Sequence, residues 1–298
     1  MRLRCHFSLV HVPAIVLSGV LFLSSCGHKP EEIVIIPDAQ KNHLQRNHIF
    51  GNVREIRTYT LLPEDMHELL DSLSLDSVRF DTVSLAIQHY SMDGYLMDYC
   101  KLNPQGDTLT IRLFNYHNDA RADNWMEFTP GQTDTVVCKY EYDMNDFLAA
   151  EKLYVNDSLL SQTSYKTDGE GNVIEMKRYY DGYTISNASQ YNAQGLLCRV
   201  DEYEPSGKLF KYITIEYDNY GDEVNRRAFK GKNDLIEYTY TQYQQDGSLK
   251  KVLFEDRLHH SKECYEYSGH DKEKNWTIET RVKDKKLIYK RIRTHIYY

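Results

Sequence analysis

Residues Tyr191–Tyr217 read YNAQGLLCRVDEYEPSGKLFKYITIEY, and this stretch contains one pattern twice. In each half an aromatic residue is followed by a turn that ends in Gly, then by one further residue and Leu. The two sets are Tyr191, Gly195, Leu197 and Tyr203, Gly207, Leu209. A short Gly-containing turn between two β-prone runs is typical of a β-hairpin. The stretch therefore predicts two β-hairpins in tandem.

The pattern recurs along the chain with a period of about 26 residues. Tyrosines that start a repeat, here called anchor tyrosines, stand at positions 90, 116, 142, 165, 191, 217, 243 and 267. Several anchors are followed 12 positions later by a second large residue, so each repeat divides into two halves of about 13 residues. That length fits a strand, a tight turn and the return strand.

Polar and apolar positions alternate along the predicted strands. The residue before each anchor tyrosine is polar, which predicts one solvated face of the sheet. The other face is only partly apolar, because Cys138-Tyr140-Tyr142 is offset by Asn187-Ser189-Tyr191. Since a tightly closed core would be more apolar, we expect an all-β fold of tandem antiparallel hairpins. They would form a long twisted meander of roughly 16 repeat strands, open or gently rolled.

The first 25 residues have the features of a signal peptide. Arg2 and Arg4 precede an apolar run at 12–23, which is shorter than the roughly 20 residues needed to span a bilayer. The following Leu23-Ser24-Ser25-Cys26 resembles the lipobox of bacterial lipoproteins, and the alternative is an ordinary secretory signal. The resemblance implies cleavage before Cys26, acylation of that cysteine and attachment to a membrane by lipid. Gly27 resembles the residue found in outer-membrane lipoproteins, and whether the chain faces the periplasm or the exterior stays open.

The remaining chain is expected to have three parts. Residues 26–48 predict a lipidated, flexible tether, and residues 49–89 an N-terminal cap with one strand and one short helix. The helix is indicated by apolar residues at i, i+3, i+4 and i+7, namely Met66, Leu69, Leu70 and Leu73. Residues 90–298 then hold about eight repeat units.

Several repeats resemble the tyrosine-aspartate motifs of RHS/YD-repeat proteins. The motifs are Tyr142-Asp143, Tyr191–Gly195 and Tyr217–Gly221, and the resemblance covers about residues 49–298. It implies a β-repeat architecture and, with the lipobox, a repeat-containing bacterial lipoprotein. Large RHS proteins enclose a toxin and cut themselves at an Asp-Pro motif, but this chain has no Asp-Pro and is too short to enclose a domain. The hairpins are also distantly similar to MORN-like repeats.

Composition narrows the expected partners. Without Arg2 and Arg4 the chain has 34 basic and 44 acidic residues, and no long basic run, so a nucleic-acid partner is not expected. There are 25 tyrosines against 10 phenylalanines and 2 tryptophans. Such amphipathic rings can stack on sugars or peptides, although each tryptophan can instead cap a local core. The predicted binding surface comprises Trp125, Trp276, Tyr191, Tyr203, Tyr217 and Tyr243.

Clusters that would carry catalysis or bind a metal are weak. Glu202 and Glu204 share a strand face but fit a solvated surface better than a glycosidase pair. His259, His260 and Cys264 cannot converge on a metal along one strand, because adjacent residues point to opposite faces. No nucleotide-binding or nucleophile-elbow motif is present. Isolated thiols are favoured over disulfides for Cys100, Cys138, Cys198 and Cys264.

These observations predict a non-enzymatic outer-membrane lipoprotein without a cofactor or metal. Its Tyr-rich sheet would bind a protein or a glycan. The alternatives are a structural spacer or envelope-assembly component and, less favoured, a glycan hydrolase.

Overall fold

The computed structural model describes residues 41, 43–63, 79–117 and 121–298. Within these ranges eighteen strands form one antiparallel sheet, in which consecutive strands are hydrogen-bonded neighbours. The first strand also pairs with the last, so the sheet closes into a barrel. The strands are β1 (Val53–Pro63), β2 (Phe80–Tyr90), β3 (Leu96–Leu102), β4 (Thr108–Tyr116), β5 (Ala122–Phe128), β6 (Thr135–Tyr142), β7 (Leu148–Val155), β8 (Ser158–Thr167), β9 (Val173–Tyr180), β10 (Tyr183–Tyr191), β11 (Leu197–Tyr203), β12 (Leu209–Tyr217), β13 (Glu223–Lys230), β14 (Asp234–Tyr243), β15 (Leu249–Asp256), β16 (Ser261–Ser268), β17 (Ile278–Lys283) and β18 (Lys286–Tyr297).

The prediction of an open or gently rolled meander is therefore wrong. Pairing of β1 with β18 runs from Val53↔Tyr297 to Leu61↔Lys290 and removes both long edges that an open sheet would expose. Register shifts beside anchors such as Tyr90 and Tyr142 add twist, which helps the sheet to curl. A polar second face does not argue against closure, because inward charges can be paired inside a barrel, as Glu263 is with Arg281.

Two predictions concern the N-terminal part of the chain, namely the short helix and the cap. The helix expected at Met66–Leu73 lies outside the described residues. The described ranges contain one helical turn, α1 (His43–Arg46), and no helix in them is long and apolar enough to cross a bilayer. Residues 49–89, expected to form a cap, supply β1 and β2 of the ring.

Strand alternation places the anchor tyrosines on the inner wall of the barrel. Several residues on this face are strongly buried, with exposed fractions of 3% for Tyr90, 0% for Cys138 and 5% for Ile215. The polar residue before each anchor lies on the outer wall. There it meets charged neighbours, as in the Glu141–Lys152 and Glu216–Arg227 ion pairs.

Asp or Asn side chains cap several of the turns after even-numbered strands, and these turns are here called the near rim. Asp143 Oδ1 accepts hydrogen bonds from the N–H groups of Asn145 (2.8 Å) and Phe147 (3.0 Å) and so closes the turn after β6. Equivalent side-chain caps stand at Asp168, Asn192, Asp218 and Asp271. Anchor hydroxyls donate to backbone carbonyls across the preceding hairpin, as Tyr116 does to Leu96 at 2.6 Å. Gly195, with a φ of 72°, supplies the positive φ that such a turn requires.

Residues 43–52, here called the strap, cross the near rim. The Leu44 N–H donates to the carbonyl of Gly94 in the turn after β2 (3.3 Å), and His48 Nδ1 lies 3.7 Å from Asp222 Oδ1 in the turn after β12. These turns are ten strands apart in a ring of eighteen. The apolar residues Leu44 and Ile49 pack with the first strands in the core cluster of Leu44, Ile49, Val53, Ile56 and Tyr90. The last residues of the expected tether are thus part of the strap.

Candidate ligand-binding lumen

The inner wall carries a cluster of charged and phenolic side chains on β16 and β17. The Glu263 carboxylate accepts hydrogen bonds from Tyr265 Oη (2.7 Å) and Arg281 Nη2 (2.7 Å), and Lys283 Nζ lies 3.2 Å away. Burial opposes ionisation of Glu263, but the hydrogen bonds from Tyr265 and Arg281 outweigh it and lower its pKa. This buried carboxylate is therefore a fixed anion with its partners in place.

A second buried carboxylate, Glu279, lies further along β17. Its Oε1 accepts a hydrogen bond from Arg291 Nη1 at 3.1 Å, and Arg291 lies 4.4 Å above the ring of Tyr289. Burial and the neighbouring Glu279 raise the pKa of both Tyr267 and Tyr289 above the ordinary value. The two phenols are consequently neutral near pH 7, when a phenol can both donate and accept a hydrogen bond.

The inner faces of β4–β8 carry similar hydrogen bonds from arginine and tyrosine to glutamate. Arg112 Nε donates to Glu127 at 3.0 Å, and its guanidinium stacks 4.3 Å from the ring of Trp125. Nearby, Glu151 accepts a hydrogen bond from Tyr165 Oη at 2.9 Å. The Cys138 thiol lies 3.4 Å from Glu151, and burial, followed by this carboxylate, raises the pKa of Cys138 to about 12. The buried thiol is thus held in its protonated, unreactive form.

The charge state of Glu263 bears on whether the wall could supply a general acid. Glycosidic bond cleavage needs a carboxylic acid whose pKa is raised towards neutrality. The pKa of Glu263 is shifted downward instead, which is opposite to the shift that such an acid needs. What the wall offers is oriented hydrogen-bonding groups beside aromatic faces.

Solvent reaches the inner wall near the far rim, which is formed by the turns after odd-numbered strands. Tyr180, Tyr183 and Ile185 belong to the inner face at the hairpin of β9 and β10, yet their exposed fractions are 52%, 67% and 51%. The outward-facing neighbour Tyr179 is exposed to a similar extent, at 46%. The far mouth therefore presents aromatic rings on both sides of its wall.

The six residues predicted to form a binding surface occupy three environments. Tyr191, Tyr217 and Tyr243 come together at the near rim, where their hydroxyls bond to the carbonyls of Val173, Leu197 and Glu223. Trp276 is 9% exposed and lies 3.7 Å from the Arg293 guanidinium, while Trp125 is on the inner wall. Tyr203 lies on the outer wall, apart from the others.

The residues considered for catalysis or metal binding do not come together in the structure. Glu202 lies on the inner wall beside Lys211 (3.5 Å), whereas Glu204 lies in the following turn. His259 and His260 lie in the turn after β15, where His259 Nδ1 is 2.7 Å from Asp256, and Cys264 lies on the outer face of β16. In the part of the chain that the structure describes, no three potential ligands converge on a metal site, and the four cysteines are free thiols.

Sequence reasoning missed the charged inner wall of β16–β18. Glu279, Arg281 and Lys283 alternate along β17, and Tyr289, Arg291, Arg293 and His295 alternate along β18. Charged residues at every second position of two adjacent strands were the available signal. The repeat pattern of the anchor tyrosines did not include these positions, so the signal was not used.

The chain is similar to known proteins in structure only. No protein-family model matches the chain, and no curated protein matches it. Among solved structures, the chain is similar to a porin-like protein from Bacteroides uniformis, with a TM-score of 0.43, 12% identity, and coverage of 83% of this chain and 98% of that one. It is also similar to part of TcdB2-TccC3, with a TM-score of 0.36, 11% identity and coverage of 77%, and it spans only 16% of that chain. The predicted β-rich repeat fold is confirmed, since hairpins recur around the barrel.

Proposed function

We propose that the protein is a non-enzymatic lipoprotein of the outer membrane, anchored through Cys26, whose lumen binds a glycan. The observation that carries the binding proposal is the inner wall, where neutral tyrosines stand beside arginine–glutamate pairs. A protein ligand is the alternative occupant of the same lumen.

A glycan suits this wall for two reasons. Sugar hydroxyls need donors and acceptors at fixed positions, and the Glu263–Arg281 and Glu279–Arg291 pairs are held rigidly by their own hydrogen bonds. The apolar faces of sugar rings pack on aromatic side chains. Tyr180 and Tyr183 present such faces where solvent enters the lumen.

The anchoring proposal rests on the lipobox-like Leu23–Cys26 and on Gly27. Replacing Cys26 by Ala removes the acylated thiol. The variant should leave the membrane fraction or retain its uncleaved leader, and it should incorporate no labelled fatty acid. Labelling equal to that of the wild type would contradict acylation at Cys26.

The binding proposal is tested with inner-face variants at the hairpin of β9 and β10 and with an outer-face control on β9. Purified protein is screened on an array of bacterial surface and host glycans, and hits are measured by calorimetry. The double variant Tyr180→Ala, Tyr183→Ala should weaken binding about tenfold or more, since each lost stacking contact removes on the order of 1 kcal/mol. Tyr179→Ala, on the outer face of the same strand, should leave the affinity unchanged.

Three outcomes would contradict the proposed function. Equal weakening by Tyr179→Ala and by the double variant would move the contact to the outside of the wall. A complete absence of binding to glycans would favour a protein ligand or a structural spacer, and release of shortened sugars would indicate a hydrolase.

A further inference from the structure

The Arg293 guanidinium lies on the inner face of β18 without a protein counterion. It packs over the ring of Trp276, 3.7 Å from the ring centroid. In the part of the chain that the structure describes, its side chain forms no hydrogen bond or ion pair, and Nε is buried without a partner. Nη1 and Nη2 are likewise unbonded but are not fully buried, so solvent in the lumen reaches them. An unpaired buried cation costs stability, and an anion bound to it removes that cost.

The neighbouring carboxylates have other partners. Glu279 attracts Arg293 from the adjacent strand, but its Oε1 accepts a hydrogen bond from Arg291 Nη1 at 3.1 Å. Asp271 Oδ2 lies 3.1 Å from His295 Nδ1. Burial outweighs the attraction of Glu279 and lowers the pKa of Arg293 to about 10. Two arginines thus share one carboxylate at Glu279, which leaves one positive charge uncompensated.

The same imbalance recurs further along this wall. The Glu263 carboxylate lies 2.7 Å from Arg281 Nη2 and 3.2 Å from Lys283 Nζ, so two cations again share one carboxylate. The surplus contrasts with the chain as a whole, which has 44 Asp and Glu against 36 Lys and Arg. A positively charged stretch on the inner wall of an acidic protein favours an anionic ligand.

Neutral phenols lie close to Arg293. Burial raises the pKa of Tyr90 to about 12, even though the charge of Arg293 opposes the rise. The Tyr267 ring packs 5.3 Å from the ring of Trp276, and burial followed by the charge of Glu279 raises the pKa of Tyr267. A neutral phenol can donate a hydrogen bond to an anion, whereas an ionised carboxylate cannot. The surroundings of Arg293 therefore offer hydrogen-bond donors to an anionic group.

We propose that the glycan bound in the lumen is acidic and that Arg293 binds its carboxylate or sulfate group. This proposal rests on the proposed binding of a glycan in the lumen. Arg293 forms charge-assisted hydrogen bonds to the anionic group through its Nη atoms, with a phenol as a further donor. A neutral glycan in the same place leaves the guanidinium unpaired, so the site selects against it.

Two matched pairs of probes test the charge preference. Oligogalacturonate and its methyl ester differ in charge but not in the sugar ring, and so do a sulfated galactan oligosaccharide and its desulfated form. Binding to the full-length protein is measured by calorimetry at low and constant ionic strength. In at least one pair the acidic form should bind about tenfold more tightly, the factor that one charge-assisted hydrogen bond contributes. The pair that shows the difference distinguishes carboxylate from sulfate.

Arg293→Gln should abolish the preference for the acidic form, and Arg293→Lys should retain part of it. Arg227→Gln is the control, because Arg227 pairs with Glu216 on the outer wall at 2.5 Å. It removes the same charge and should keep the full preference. Folding is checked by urea unfolding. Arg293→Gln should unfold at a higher urea concentration than Arg281→Gln, since only the latter removes a partner of the buried Glu263.

The outcomes separate this proposal from the proposed function. Equal binding of acidic and neutral forms in both pairs, or an unchanged preference in Arg293→Gln, would overturn the acidic ligand and leave glycan binding in the lumen intact. An equal loss of preference in Arg227→Gln would assign the selection to overall charge, which also overturns the role of Arg293. Binding of none of the four probes, with no hit on the glycan array, would contradict the proposed function and this proposal with it.

Discussion

Asn275 holds Phe50 by two hydrogen bonds. Its side-chain oxygen accepts from the Phe50 N–H at 2.7 Å, and its side-chain nitrogen donates to the Phe50 carbonyl at 2.8 Å. The same nitrogen donates to Tyr297 Oη at 2.9 Å, and Asn275 is only 3% exposed. One amide thus joins the strap to the turn after β16 and to the closing strand β18.

Asn275→Ala should destabilise the protein by about 2–3 kcal/mol, because it leaves the polar groups of Phe50 without these partners. Urea unfolding followed by circular dichroism measures the difference. Asn115→Ala serves as the control, since Asn115 is exposed and bonds to Asn124 on the outer wall. The control should change stability by less than about 0.5 kcal/mol. Equal stability of the two variants would contradict a structural role for the strap.

The anchor tyrosines yield a second prediction. Tyr116→Phe keeps the ring and removes the hydroxyl that donates to Leu96 at 2.6 Å. The variant should lose about 1 kcal/mol of unfolding free energy, the usual net value of one hydrogen bond. Tyr183→Phe, at a residue that is 67% exposed, is the control and should be neutral in the same denaturation assay. A neutral Tyr116→Phe would mean that the ring alone explains the repeated tyrosine.

The local repeat was predictable because its chemistry is contained within a few residues. The turn at Gln194-Gly195 needs a glycine at positive φ, and the residue after Tyr191 caps that turn. The faces also follow from alternation, which places Tyr217 inside and Glu216 outside. Both features depend on neighbours within one hairpin.

Closure of the ring was not predictable by the same reasoning. Val53 and Tyr297 pair although 244 positions separate them, and nothing in either strand indicates its partner. In an open sheet, residues such as Glu202 would be in contact with water on either face. A closed barrel can pair charged residues on its inner face, so composition could not distinguish the two architectures. For the same reason, the sequence does not indicate that the charged residues Glu263 and Arg281 line the inside of a barrel.

His295 should make stability depend on pH. Its side chain is 1% exposed on the inner face of β18, where burial and then the charge of Arg293 lower its pKa to about 4. Unfolded histidine has a pKa of about 6.5, so the unfolded chain binds more protons between these values. Stability therefore falls as the pH falls from 6.5 towards 4, by on the order of 3 kcal/mol from this group.

Denaturant unfolding of wild type and His295→Gln at several pH values between 7 and 4 measures this contribution. The gap between the two curves should narrow on acidification, because the variant lacks the titrating imidazole. His259→Gln is the control, since the His259 side chain is 73% exposed. A gap that stays constant with pH would show that His295 remains accessible to protons in the folded state.

Removal of the last strand tests closure directly. A chain that ends at Lys285 lacks β18 and leaves β1 and β17 without their partner, so two long strand edges are exposed. It should aggregate or be digested rapidly by protease. A chain lacking residues 197–222 loses β11 and β12 but keeps the β1–β18 pairing, and it should remain more soluble and more protected than the truncated chain. If both chains resist protease equally, stability comes from neighbouring hairpins alone, and closing the ring adds little.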